Sequence, residues 1–244
     1  MRSSSPRASG ATRPSEAAMI ERRPIVCLVT DRRRLCEGCD EDRAERCLIA
    51  QFTEAVAAGV DLLHIRERDL DAGRLLMIVA RAVALARGTS TRVVVNDRLD
   101  VALAAGAHGV HLRSDSFSAE AVRRIAPREF LVGRSVHSSD DAAAAAGVDY
   151  LVAGTAFATT SKSAGTIELL GDAGLSAVVA AAGVPVIAIG GITLETIPRV
   201  ATAGAAGFAA IGAFLGDARP CRCASLGGFV NAARARFDSV KTAP

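Results

Sequence analysis

The chain has 244 residues, 50% of them hydrophobic and 23% charged, enough apolar sequence for one large core or two modest ones. Its 29 basic and 26 acidic residues leave a net charge of +3, four of the arginines fall in the first 22 positions, and aromatics make up only 4%. A nucleic-acid footprint, which needs a clustered basic face and rings for base stacking, is therefore excluded, whereas a small anion needs only a few well-placed cations.

No stretch reaches about 18 uninterrupted apolar residues, so no membrane helix is expected. Residues 1–22 lack the apolar middle of a secretory signal and read as a disordered tail of a cytoplasmic protein, with Met19 as an alternative start. From there, short β-branched runs recur in chain order: 24–30, 61–67, 91–96, 109–112, 130–133, 149–155, 184–190 and 207–212. Ala/Leu-rich stretches of helical character separate them, several ending in Gly where a helix C-cap prefers it, and "LGGFVNAARARFDSV" closes the chain. Strand and helix alternating in this way predict an α/β fold, a single-domain (β/α)8 TIM barrel over 23–240. An open doubly wound sheet would carry a G-x-G-x-x-G turn after its first strand, where this chain has "DRRRLCEGC".

Barrel chemistry sits where the strands end. The second strand ends in His64, Arg66 and Arg68, whose spacing of two puts them on one face. The third ends in Asn96 and Asp97, the fourth in His111, and the fifth in Arg134, Ser135 and His137. The sixth opens into "GTAFATTSKSAGT", which supplies Thr159, Ser161 and Lys162; the last two end in Gly190-Gly191 and Gly212. Three of the four histidines thus fall on predicted strand tips, the pattern of a site and not of scattered core residues. The glycines read either as tight turns or as a phosphate cradle in which a side chain would hold an oxyanion away from backbone N–H groups. Arg66, Arg68, Arg134 and Lys162 can neutralise further negative charge. Asp97 beside Asn96 suits Mg²⁺ or, equally, the cap of the helix that follows.

Of the six cysteines, Cys27 reads as core, while Cys36, Cys39, Cys47, Cys221 and Cys223 crowd two loops that a barrel brings together. They are either a Zn²⁺ or iron–sulfur site or unrelated thiols.

In combination, "LVTDR", "HIRER", "VVVNDRLDVALAAGAHGVHL", "GRSVHS", "GTAFATTSKSAG", "VPVIAIGGIT" and "ATAGAAGFAAIGAF" resemble the thiamine phosphate synthase/TenI family over most of residues 24–236. The resemblance implies a small phosphorylated heterocyclic substrate, a homodimer as a further expectation, and one of two chemistries. A synthase joins a pyrimidine diphosphate to thiazole phosphate with Mg²⁺ and displaces pyrophosphate through a carbocation-like transition state. A TenI-like tautomerase moves a proton on a carboxythiazole phosphate and needs no cofactor. The synthase motif Q-x-R-E-K stands here as His64-Ile65-Arg66-Glu67-Arg68, and its second metal carboxylate falls on Ser116, with Asp115 one place early. These departures bring the chain closer to the tautomerase branch, where His137 is the implied proton carrier and His64 or His111 orients the ring. Synthase, and a non-catalytic thiazole-phosphate binder, are the alternatives.

Overall fold

The structure is a computed structural model that describes residues 24–159, 168–216 and 225–241. Eight parallel strands, β1 (Ile25–Val29), β2 (Leu62–Ile65), β3 (Arg92–Asn96), β4 (Gly109–Leu112), β5 (Leu131–Val136), β6 (Tyr150–Ala153), β7 (Val186–Ile189) and β8 (Gly207–Ala210), close in chain order, with β8 returning to β1. Around them run α1 (Arg32–Leu35), α2 (Glu41–Ala57), α3 (Ala72–Ala86), α4 (Leu99–Ala104), α5 (Ala119–Arg123), α6 (Ser139–Ala144), α7 (Gly171–Ala181), α8 (Ile197–Thr202) and α9 (Gly227–Lys241). The barrel expected from the sequence is the barrel observed. No described helix is long and apolar enough to cross a membrane. The N-terminal tail, Ser161, Lys162, Cys221 and Cys223 lie outside the described residues.

The strands read as unbroken apolar runs because both faces are buried. Ile25, Cys27 and Val29 of β1 point inward with Leu62, Val94, Leu131, Tyr150, Val152, Ile187 and Ala209. The alternate residues, Val26, Leu28, Leu63, Ile65, Val93 and Val95 among them, pack outward against the helices. The interior is tight enough to dictate residue size: a Cβ on Gly133 would lie 2.1 Å from a ring carbon of Tyr150. The strand edges differ from expectation chiefly at β5, which runs on to Val136, so that Arg134 and Ser135 are strand residues on opposite faces.

The end of the barrel remote from the strand tips is locked by charge. The Asp61 carboxylate accepts from Val26 N (2.7 Å) and from the Arg234 guanidinium (2.8 Å). Arg234, on α9, also donates to the carbonyls of Pro24 (2.6 Å) and Gly59 (2.8 Å). One buried side chain thus ties the last helix to the first strand and to the turn before β2. Removing one member of a buried ion pair leaves its partner uncompensated, at a cost of about 3–5 kcal/mol. Arg234→Ala is therefore expected to lower the unfolding free energy by that amount in urea titrations, against less than about 1 kcal/mol if the clamp is immaterial.

Candidate active site

At the C-terminal ends of the strands lies a cleft of about 1010 Å³. It is lined by His64, Arg66 and Arg68 after β2, Asn96 from β3, His111 and Arg113 from β4, and Ser135 and His137 from β5. Thr155 and Thr159 after β6, Gly190 and Gly191 after β7, and Gly212 after β8 complete it. The three strand-tip histidines thus meet on one rim.

His64 and His111 form its floor, both buried, with ring centroids 4.6 Å apart. Burial comes first among the causes that hold the His64 imidazole well below its ordinary pKa, followed by the neighbouring His111 and Arg66. Burial, with Arg134 behind it, pushes His111 down to about 3. Both rings are therefore neutral at physiological pH. The His111 ring lies 2.9 Å from Ser135 Oγ and 3.3 Å from the Tyr150 hydroxyl, donating with one nitrogen and accepting with the other. His64 Nε2 is buried with no hydrogen-bond partner among the described residues. Such an atom costs about 1–3 kcal/mol unless something in the cleft pairs with it.

His137 differs from this pair in being exposed to the cleft. Its Nδ1–H donates to the carbonyl of Gly154, which leaves the lone pair of the neutral ring on Nε2. The polar residues that follow have a plainer purpose. Ser138 caps α6 by accepting from Asp141 N (3.1 Å), and the Asp141 carboxylate accepts from His137 N (2.9 Å).

The cations sort themselves by the frame that holds them. Arg32 is fully buried; it donates to Glu67 (3.0 Å), Asp69 (2.6 Å) and Glu41 (2.9 Å), while Arg66 N donates to Thr30 Oγ1 (2.9 Å). The Glu67 of "HIRER" is thus an anchor, and the loop it holds presents Arg66 and Arg68 to the cleft. Burial, and then the Arg68 charge, lower the Arg66 pKa from its ordinary value. Arg34, on α1, enters the same cleft beside Gly212, its guanidinium 3.6 Å from where a Cβ there would sit. Neither Arg34 nor Arg113 was expected from the sequence.

The expectations for Arg134 in the cleft and for Asp97 as a helix cap need correction. Arg134 lies outside this cleft: its guanidinium donates to the carbonyls of Ser114 (3.1 Å) and Phe117 and braces the loop after β4. Gly190 and Gly191 line the cleft as expected, and their size is also restricted from the side away from it. A Cβ there would meet Thr155 Cγ2 at 2.5 Å or the Ala158 carbonyl at 2.4 Å, and both φ angles are positive. Asp97 does not cap α4, whose N-cap is Arg98; at φ 59° its carboxylate turns toward the backbone N–H of Arg113 (3.4 Å). Of the five loop cysteines, Cys221 and Cys223 lie outside the described residues; among the described ones Cys36 and Cys47 are buried with sulfurs 3.3 Å apart, and no three described His, Cys, Asp or Glu converge.

Mg²⁺ fares no better. Asp97 and Asp115 both face the Arg113 guanidinium, Ser116 offers no carboxylate, and no third acidic or imidazole ligand approaches them among the described residues. Such an ion usually takes one or two protein carboxylates together with phosphate oxygens, and the two that could serve among the described residues are already faced by a guanidinium, whose charge opposes a dication between them.

Keeping buried imidazoles neutral has a consequence for stability. The unfolded chain takes up protons near pH 6.5 but the folded His111 does so only near 3, so stability falls as pH drops through that window, by about 1.4 kcal/mol per pH unit for each such histidine. Urea titrations between pH 7 and 4 are expected to show His111→Asn losing stability less steeply than the native chain. Parallel curves would contradict the burial argument.

The comparisons agree with the fold. The family model described as thiamine monophosphate synthase matches residues 27–214. A thiamine-phosphate synthase of Methanoregula boonei is 43% identical over 172 residues, covering 69% of this chain and 78% of that protein. One of Anaeromyxobacter dehalogenans is 41% identical over 174 residues, covering 70% and 78%. The solved thiamine phosphate pyrophosphorylase of Pyrococcus furiosus superposes with a TM-score of 0.72 at 28% identity, over 89% of this chain and 96% of that one. These names side with the synthase, the alternative on sequence grounds, over the tautomerase expected first. The chain belongs to the thiamine monophosphate synthase/TenI family and has a role in thiamine biosynthesis.

Proposed function

We propose that the protein is a thiamine-phosphate synthase, joining a pyrimidine diphosphate to a thiazole phosphate with release of pyrophosphate. One observation carries the reading: the cleft has two ends suited to anions. Arg66, Arg68 and Arg113 come from the β2–β4 side, and Arg34 stands with Gly190, Gly191 and Gly212 on the β7–β8–β1 side. A substrate pair carrying a diphosphate and a monophosphate needs both. The relatives' names support it, and so does the sequence Thr159-Thr160-Ser161-Lys162, which stands where the family resemblance places the synthase motif T-x-T-K.

In this reading the guanidiniums of Arg66, Arg68 and Arg113 hold the diphosphate. The bond from its oxygen to the pyrimidine methylene breaks with both electrons leaving on pyrophosphate, and the thiazole nitrogen closes on the carbon. A cation at about 4 Å from a developing anion is worth roughly 4 kcal/mol at an effective dielectric of about 20. The floor suits the other half of the charge separation, because neutral His64 and His111 oppose no positive charge growing on carbon. His64 Nε2 gives or takes one hydrogen bond with the substrate, and Arg34 and the glycine turns hold the thiazole phosphate.

The tautomerase is the second reading, favoured by His137, whose Nδ1 is committed to Gly154 and whose Nε2 lone pair is available to take a proton from carbon.

Purified protein given both synthase substrates is expected to form thiamine phosphate and pyrophosphate in equal amounts. Arg66→Ala should lower kcat/KM on the order of 100-fold, near 2.7 kcal/mol of transition-state stabilisation. Deuterium entering carboxythiazole phosphate from heavy water, without coupling, would transfer the assignment to the tautomerase. Tight thiazole-phosphate binding with neither turnover would make the protein a binder.

A further inference from the structure

The loop after β4 holds a cation of its own between two carboxylates. Arg113 is the first residue beyond the strand; its Nη2 hydrogen-bonds Asp115 Oδ2, and its Nη1 stands 3.9 Å from Asp97 Oδ2. The backbone cooperates, since Arg113 N donates to Asp97 Oδ1 (3.4 Å) and Asp97 N to the His111 carbonyl (2.8 Å), with Asp97 held at φ 59°. From beneath, Arg134 grips the carbonyls of Ser114 and Phe117, which sets the course of the loop.

We infer that the Arg113 guanidinium occupies the place between Asp97 and Asp115 that a divalent cation would need, so that this chain holds a diphosphate group with built-in arginines and no bound metal.

The inference rests on the synthase reading for its substrate and on geometry for the rest. A hard divalent ion takes oxygen ligands at about 2.0–2.1 Å in a near-octahedral shell. It cannot sit within that distance of both carboxylates while a guanidinium bridges them. Two carboxylates and one guanidinium leave a local charge of −1 where a dication would leave zero. Arg66 and Arg68 make up the deficit from the neighbouring strand, and Arg113 is near enough to Arg66 to depress its pKa. A guanidinium is also suited to the task, since its planar fork binds phosphoryl oxygens in pairs and keeps its charge at any physiological pH.

The competing arrangement is that Arg113 swings aside, because its side chain is 46% exposed and exposed ion pairs are weak. A Mn²⁺ titration of the whole chain, followed by electron paramagnetic resonance, distinguishes the two without recourse to activity. The native chain is expected to leave Mn²⁺ free in solution, Arg113→Gly to bind about one ion per chain, and Arg113→Gly with Asp97→Asn to lose it again. Calorimetry with inorganic pyrophosphate supplies the second readout: affinity in EDTA should match that in Mg²⁺ for the native chain. For Arg113→Gly it should fall at least tenfold in EDTA and recover with Mg²⁺, the recovery serving as the control for folding. One Mn²⁺ bound to the native chain and lost in Asp97→Asn would overturn the inference, as would a tenfold loss of native pyrophosphate affinity in EDTA. If the metal results are as expected but no thiamine phosphate forms, the synthase reading fails and the substitution of guanidinium for metal stands.

Discussion

Everything in this molecule depends on the closure of eight parallel strands into a ring with a side-chain period of two. Closure gathers every strand's last inward residue at one rim. The period decides which residue that is, so Ser135 and His137 reach the cleft while Arg134, one place before Ser135 on the opposite face, is sent outside to brace a loop. The same rule brings His64, Arg66 and Arg68 to one side of the opening. Below the rim the ring is filled to the point where only glycine at position 133 leaves room for Tyr150, and this rigid plug is the base on which the two neutral histidines rest.

Two electrostatic regimes are stacked in a few ångströms. The floor is dry and uncharged: burial keeps His64 and His111 unprotonated, and Ser135 and Tyr150 satisfy the second of them. The rim is cationic, lined by Arg34, Arg66, Arg68 and Arg113, the last of them paired with Asp115 and Asp97. Arg32 shows how the arrangement is sustained, since its ties to Glu67, Asp69 and Glu41 join the segment after β1 to the segment after β2. In the proposed synthase reaction a site built this way separates charge well, having fixed positive groups where a leaving anion would go and no charge where a carbocation would form.

Much of this was legible in the sequence, and the gaps have physical causes. The eight apolar runs and their polar tips place the barrel and the histidine rim, because strand periodicity survives in the residue pattern. The run Arg32-Arg33-Arg34 defeats such reading: on one turn of helix the three side chains diverge, one buried in acids, one 67% exposed and one in the cleft. Arg113 is not singled out by the sequence because its partners, Asp97 and Asp115, are brought to it by a left-handed residue that no local pattern announces. Arg134 was within reach of the sequence, since strand alternation forbids it from sharing a face with Ser135. Asp97 was read as a cap or a ligand because its role is set by a loop sixteen residues away.

The central claim is that the cleft holds two anions at once, at ends that do not overlap. Calorimetric titration of inorganic pyrophosphate into protein already saturated with thiazole phosphate tests it most directly. The account predicts one pyrophosphate bound per chain with an affinity no more than a few-fold weaker than for the empty protein. Mutual displacement of the two ligands would show a single anion site and contradict it.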